Sequence, residues 1–287
     1  ISTSADGLRS VYAADVDGDG DMDILSASAN VDKIAWHEND GSEGFTEHAI
    51  STSTDGARSV YAVDVDGDGD MDVLSASQLD NKIAWYENDG SENFTEHAIS
   101  TSANGAMSVH AADVDGDGDM DVLSASYHND KIAWYENDGS ENFTEHAIST
   151  SADGAYSVFT ADVDGDGDMD VLSASYLGSK IAWYENDGSE SFTEYVISTS
   201  AYGALSIHAA DVDGDGDMDM LSASIEDDKI AWYDNDGSES FTEHTISTSA
   251  DQAITVHAAD LDADGDMDVL SASLRDDKFA WYENNGS

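Results

Sequence analysis

The chain repeats itself every 49 residues, and that period limits what it can fold into more than any other feature. The stretch DVDGDGDMD at 15–23 returns at residues 64, 113, 162 and 211, and at 260 as DLDADGDMD. A repeat of this length is one supersecondary unit that cannot bury its apolar face alone, so neighbouring units must stack. In the first copy, four short segments of strand character at 10–16, 22–28, 33–39 and 45–51 are separated by clusters of Gly, Asn, Asp and Ser. None is long enough for an ordinary helix, and none sustains a 3.6-residue period.

Four short strands in a unit of this length are the mark of a β-propeller blade. The expected fold is therefore all-β: a β-propeller of six four-stranded blades, one domain over residues 1–287. The chain opens in mid-repeat, at ISTS, and is seven residues short of six full periods. The missing piece corresponds to most of one fourth strand. The sequence thus reads either as a segment of a longer protein or as a propeller with one incomplete blade, and a seventh blade stays open. Antiparallel succession puts the Asp-rich loop and the NDGS loop at one end of each blade. The variable loop between strands two and three (ANVD, QLDN, YHND, YLGS, IEDD, LRDD) and the inter-blade loop fall at the other.

A formal charge of −54, from 63 acidic and nine basic residues, makes nucleic acid and anionic membranes unfavourable partners. Apolar residues still make up 40% of the chain, with one Trp per repeat, which suits a packed core rather than a disordered acidic tail. There is no Cys, so thiolate chemistry and disulfides are excluded. No apolar run is long enough for a membrane-spanning helix.

Thirty of the acids lie in the six motifs. They are Asp15, Asp17, Asp19, Asp21 and Asp23; Asp64, Asp66, Asp68, Asp70 and Asp72; Asp113, Asp115, Asp117, Asp119 and Asp121; Asp162, Asp164, Asp166, Asp168 and Asp170; Asp211, Asp213, Asp215, Asp217 and Asp219; and Asp260, Asp262, Asp264, Asp266 and Asp268. Carboxylates at alternate positions, with a turn-forming Gly at position six, offer many hard oxygen donors. That set suits Ca²⁺ better than Mg²⁺, which demands a stricter octahedron and keeps its waters. In the first copy the expected ligands are the side chains of Asp15, Asp17, Asp19 and Asp23 and the backbone carbonyl of Asp21, giving about six Ca²⁺ in all. An EF-hand is excluded: position twelve is Ser26 and its equivalents rather than Glu, and the flanks are strand-like. With a module-type Kd near 10⁻⁴ M, millimolar calcium would stabilise the fold by about 1.4 kcal/mol per site. Such sites fill outside cells rather than in the cytosol, so an extracellular, secreted or cell-surface location is expected.

The motif, with DVL after it and KIAWYENDGS further on, resembles the FG-GAP/VCBS repeat family over essentially the whole chain. The resemblance implies a β-propeller like the integrin α-subunit head and some integrin-like lectins, with Ca²⁺ in the loop between strands one and two. The tripeptides that name the family are not evident, since SAS stands near where one would fall, and Ala263 replaces a Gly in the sixth copy.

Other recurring residues carry two readings each. Trp36, Trp85, Trp134, Trp183, Trp232 and Trp281 are either core residues between blades or platforms for sugar stacking. Tyr12, Tyr61, His110, Phe159, His208 and His257, in mid-strand one, either pack between blades or line an axial channel. His48, His97, His146 and His244 read as surface positions of the outer strand, and Lys33 and its equivalents as partners of nearby carboxylates. No repeat breaks the pattern with a unique nucleophile or acid–base pair, so no enzyme is expected. The leading function is a binding, adhesion or structural interaction module with an extracellular protein or glycan as partner. The alternatives are a calcium-dependent lectin using Tyr127, His128, Tyr176 and Asp228, and less favourably a propeller lyase or hydrolase.

Overall fold

The computed structural model of the chain describes residues 2, 5–42 and 44–286. All its regular elements are strands, grouped in six antiparallel sheets whose strands follow chain order. The first sheet holds β1 (Leu8–Ala14), β2 (Asp23–Ser28), β3 (Lys33–Asn39) and β4 (Phe45–Ser51). The second holds β5 (Ala57–Val63), β6 (Asp72–Ser77), β7 (Lys82–Asn88) and β8 (Phe94–Ser100), and the third β9 (Ala106–Ala112), β10 (Asp121–Ser126), β11 (Lys131–Asn137) and β12 (Phe143–Ser149). The fourth comprises β13 (Ala155–Ala161), β14 (Asp170–Ser175), β15 (Lys180–Asn186) and β16 (Phe192–Ser198). The fifth comprises β17 (Ala204–Ala210), β18 (Asp219–Ser224), β19 (Lys229–Asn235) and β20 (Phe241–Ser247). The sixth has three strands among the described residues, β21 (Ala253–Ala259), β22 (Asp268–Ser273) and β23 (Lys278–Tyr282).

This is the β-propeller of six blades that the repeat predicts. By contact density the chain forms two compact units, 1–113 with 117–150, and 151–287 with 114–116, each carrying three sheets. The first strand of each blade runs about two residues ahead of its expected span. It ends at Ala14 and its equivalents because the Asp loop begins there, and in β1 it carries a register shift between Leu8 and Ser10 at its start.

Small residues set the sheet spacing. The second strand, DILSAS or DVLSAS, is almost wholly buried, and its Ala and Ser let the adjoining sheet approach. In the first unit, Leu25 and Trp36 of one sheet pack with Ala57, Val60, Val73 and Tyr86 of the next. In the second unit, Leu172 and Trp183 pack in the same way with Ile207, Met220 and Tyr233. Trp36, Trp85, Trp134 and Trp183 are at most 1% exposed, so they are core residues rather than sugar platforms. Trp281, in the three-stranded sheet, is 49% exposed.

Register explains the ends of each blade. Ala14 faces Asp23, so the Asp loop closes one end, while Ser28 faces Lys33 at the other. At that second end the variable loop meets the inter-blade loop as expected, with Ala29 N–H donating to Gly7 O and Gln78 N–H to Gly56 O.

Candidate metal centre

The Asp loops fold on a ladder of side-chain to backbone hydrogen bonds. In the second copy, Asp64 accepts from Gly67 N at 2.8 Å and from Gly69 N at 3.0 Å, Asp66 from Asp68 N at 3.1 Å, and Asp68 from Asp70 N at 2.9 Å. Two glycines make the turn, Gly67 at φ 75° and Gly69 at φ 99°. The second lies well beyond the range an L side chain adopts with ease. The ninth-position carboxylate closes the loop: Asp72 Oδ2 accepts from Val65 N at 3.0 Å and Oδ1 from Asn88 N at 2.7 Å, and the residue is fully buried.

These bonds bring three carboxylates together. Oxygens of Asp64, Asp66 and Asp72 lie within 4.8 Å of one another, as do those of Asp162, Asp164 and Asp170 and of Asp211, Asp213 and Asp219; in the first copy the group is Asp15, Asp17 and Asp19. In the third copy Asp113 accepts from Gly118 N, Asp117 from Asp119 N and Asp121 from Asn137 N, while Asp115 falls with the second unit. In the sixth, Asp260 accepts from Gly265 N, Asp262 from Asp264 N, Asp264 from Asp266 N, and Asp268 from Leu261 N and Asn284 N.

The seventh position behaves differently. Its side chain turns aside over the glycine of the NDGS loop, so that a Cβ on Gly41, Gly90 or Gly188 would overlap the carboxylate of Asp21, Asp70 or Asp168, and Asp119, Asp217 and Asp266 sit likewise against Gly139, Gly237 and Gly286. The side chains of Asp21 and its equivalents thus pack against the neighbouring loop.

Among the described residues, Lys and Arg lie away from these loops. Lys33, Lys82, Lys131, Lys180 and Lys229 open the third strand, at the opposite end of the blade, and reach Glu47, Glu96, Glu145, Glu194 and Glu243 at 2.5–2.9 Å. Arg9 and Arg58 are the second residues of β1 and β5, and Arg275 and Lys278 lie beyond β22, so all nine basic residues sit at that far end of their blades. Burial accordingly pushes Asp72, Asp170 and Asp219 up to about 6, against the backbone N–H donors that hold them down. Burial also raises Asp17, Asp66, Asp164 and Asp213, with neighbouring carboxylates adding to it. In the first loop Asp15 Oδ1 is buried without a hydrogen-bond partner. An all-oxygen donor set, converged, uncompensated and with an orphaned buried oxygen, fits a hard divalent cation.

One group escaped sequence reading: the Asn that ends the third strand in five sheets and follows β23 as Asn284 in the sixth. Asn137 Nδ2 donates to Met120 O beside its own loop and to Val65 O in the loop of the preceding blade, and Asn235 does the same with Met218 O and Val163 O. Its recurrence three residues after the Trp in all six copies, as the last residue of HEN, YEN or YDN, is the signal that could have found it. Of the four residues considered for glycan contact, Asp228 is committed to structure, accepting from Gln252 N at 2.8 Å. Tyr176 donates to Glu226 at 3.0 Å, and Tyr127 meets His128 edge-on at 5.3 Å.

Comparison with known proteins bears on the fold. The chain superposes on a lectin of Agrocybe aegerita, solved for its specific recognition of non-reducing terminal N-acetylglucosamine, with a TM-score of 0.67, 16% identity, and 97% of this chain and 77% of that one covered. It superposes also on a catalytically inactive virginiamycin B lyase from Staphylococcus aureus with quinupristin, at a TM-score of 0.65, 16% identity, and 100% and 88% covered. A third likeness is to the V. cholerae biofilm matrix protein Bap1, at a TM-score of 0.56, 18% identity, and 88% of this chain but 42% of that one covered. At these identities the likeness is one of fold. No curated protein matches the sequence itself. The model of the FG-GAP-like repeat matches five times, at 15–75, 64–124, 113–173, 163–222 and 211–271, each match spanning one Asp loop and the next. The chain belongs to the FG-GAP-like repeat family.

Proposed function

We propose that each Asp loop holds one calcium ion and that the protein is an extracellular binding and structural module, stabilised by calcium and without a catalytic role. The observation that carries this reading is the charge layout: five carboxylates per loop at one end of every blade, and all nine basic residues at the other. A cation from solution is the remaining source of compensation. The side chains at positions one, three, five and nine and the carbonyl at position seven would hold it. Calcium bound there would offset carboxylate repulsion and pin the first hairpin of each blade. Binding only the folded loop, it adds to stability by mass action, and millimolar extracellular calcium is the supply that fills such sites. Each repeat carries the same chemistry, which suits repeated weak contacts with a protein or glycan partner better than a single catalytic centre.

A second reading, a calcium-dependent lectin, is favoured by the Agrocybe aegerita likeness and by the half-exposed Tyr127 and Tyr176 in the variable loops. A glycan array probed with calcium-loaded protein, with a chelated sample as control, separates the two. Selective binding lost on chelation assigns the lectin. Silence from protein shown to be folded assigns the protein-contacting module.

A further inference from the structure

Two of the loops that lead into outer strands carry a pattern with no part in holding calcium. Asn93-Phe94-Thr95 and Asn142-Phe143-Thr144 are Asn-x-Thr tripeptides, the acceptor pattern of N-linked glycosylation, at the start of β8 and of β12. Gly44, Ser191 and Ser240 take the place of the Asn in the other four-stranded sheets. A third such tripeptide, Asn285-Gly286-Ser287, includes a residue outside the described ones.

The two-residue period of a strand decides which way the tripeptide points. Successive side chains leave opposite faces, so the first and third residues share one face and the second takes the other. Phe94 packs on the core of the first two sheets, and Phe143 meets Trp85 with ring centroids 6.4 Å apart. Asn93, Thr95, Asn142 and Thr144 are all exposed. β8 and β12 are the end strands of their sheets. Amide and hydroxyl are therefore accessible together without any unfolding of the blade.

The same amides help to close their loops, but the loop forms without them. Asn93 Nδ2 donates to the two oxygens of Asp89 at 3.2 and 3.0 Å and to Ser91 O at 3.3 Å, and Asn142 does the same with Asp138 and Ser140. In the fourth sheet, where Ser191 stands instead, Asp187 accepts from Ser189 Oγ at 2.7 Å. The backbone bond that closes the loop is kept: Asp187 N donates to Ser191 O at 3.2 Å, as Asp89 N does to Asn93 O.

We propose that Asn93 and Asn142 are sites of N-linked glycosylation, with a polyprenyl-pyrophosphate-linked oligosaccharide as the donor. This assignment rests on the extracellular reading above, because the modification belongs to chains bound for the outside. Nδ2 forms a bond to the anomeric carbon of the first sugar as the bond from that carbon to the pyrophosphate oxygen breaks. One amide proton is given up, and polyprenyl pyrophosphate leaves. Each Nδ2 keeps one N–H, enough to hold one bond to Asp89 or Asp138. The glycans stand at the Asp-loop end of the second and third blades and leave the variable loops at the other end uncovered.

The test is production of the full chain behind a cleavable signal peptide in secreting eukaryotic cells. Occupancy is read on secreted and cell-retained protein alike, by mass spectrometry of proteolytic peptides before and after peptide-N-glycosidase F. Glycan at both Asn93 and Asn142 is expected. Thr95→Ala should remove the first and Thr144→Ala the second, although each leaves its Asn in place, and Thr95→Ser should restore the first. Protein retained in the cells yet modified at both sites counts against the extracellular reading alone. Either asparagine found unmodified in both pools, or a glycan that survives loss of the Thr hydroxyl, overturns the assignment at that site. Unmodified protein in the medium overturns both assignments and leaves the extracellular reading standing.

Discussion

Position four and position six of the Asp loop are both glycine in five copies, yet only position four changes in the sixth. The backbone explains which can change. Gly18, Gly67, Gly165 and Gly214 lie at φ 75–77°, and Ala263 settles at φ 63°, within the left-handed region an L residue can reach. Gly20, Gly69, Gly167, Gly216 and Gly265 lie at φ 95–102°, which a Cβ tolerates far less well. No atom lies within 4 Å of a Cβ built on Gly18 or Gly20, so the penalty is one of backbone conformation and not of space. Ala263→Gly should therefore stabilise the metal-free protein by about 0.5–1 kcal/mol, while Gly69→Ala should cost more than Gly67→Ala; urea melts in EDTA read both. A second residue carries a pH signature. His110 lies against Tyr61 with tilted rings 4.6 Å apart, and burial lowers it to about 4. The unfolded chain, with its His near 6.5, binds more protons between pH 6.5 and 4, so stability falls as pH drops through that window. His110→Phe, the residue at position 159 in the fourth copy, should abolish that component, on the order of 1–3 kcal/mol between pH 7 and 4.5. Matched wild-type and variant melts across that range give the difference directly.

Each blade is joined to its neighbour by more than apolar contact. Asn137 bonds back to Val65 O, whereas Asn39 has the bond to Met22 O in its own blade and is more exposed. Asn137→Ala should cost about 2–3 kcal/mol and Asn39→Ala about 1 kcal/mol, measured by the same melts, because the first leaves a buried carbonyl unpaired and the second an accessible one. The strands that carry these residues were legible in the sequence because Val, Leu and Ile alternate with Ala and Ser between turn clusters, and the 49-residue period fixed their order. Spacing alone pointed to the side chains at positions one, three, five and nine; oxygens at one, three and nine come together in the second, fourth and fifth copies, and at one, three and five in the first. The double duty of Asp72 was not: its two oxygens are bonded to backbone N–H groups of Val65 and Asn88, a tertiary arrangement with no local signature. The fate of the Trp ring was undecided for the same kind of reason. Trp85 is buried because the next sheet lies on it, and Trp281 is half exposed because the sixth sheet has three described strands. The residues in mid-strand one meet one another with tilted rings, Tyr12 with Tyr61 and His208 with His257 at 4.6 and 4.3 Å, a contact that spacing could not show.

The same register separates Asp loop from basic residues within every blade: the carboxylate loop lies at one end of each sheet and the Lys or Arg at its other end. A net charge of −54 works against any compact state, and 30 of the acids responsible are crowded into six loops. The central claim is that calcium in those loops holds the folded state against this repulsion. Differential scanning calorimetry in 1 mM calcium and in excess EDTA tests it most directly, with magnesium added back to the chelated sample as the control. The account predicts a transition lowered on the order of 10 °C or more by EDTA, restored by calcium and not by magnesium. Superimposable transitions in calcium and in EDTA would contradict it.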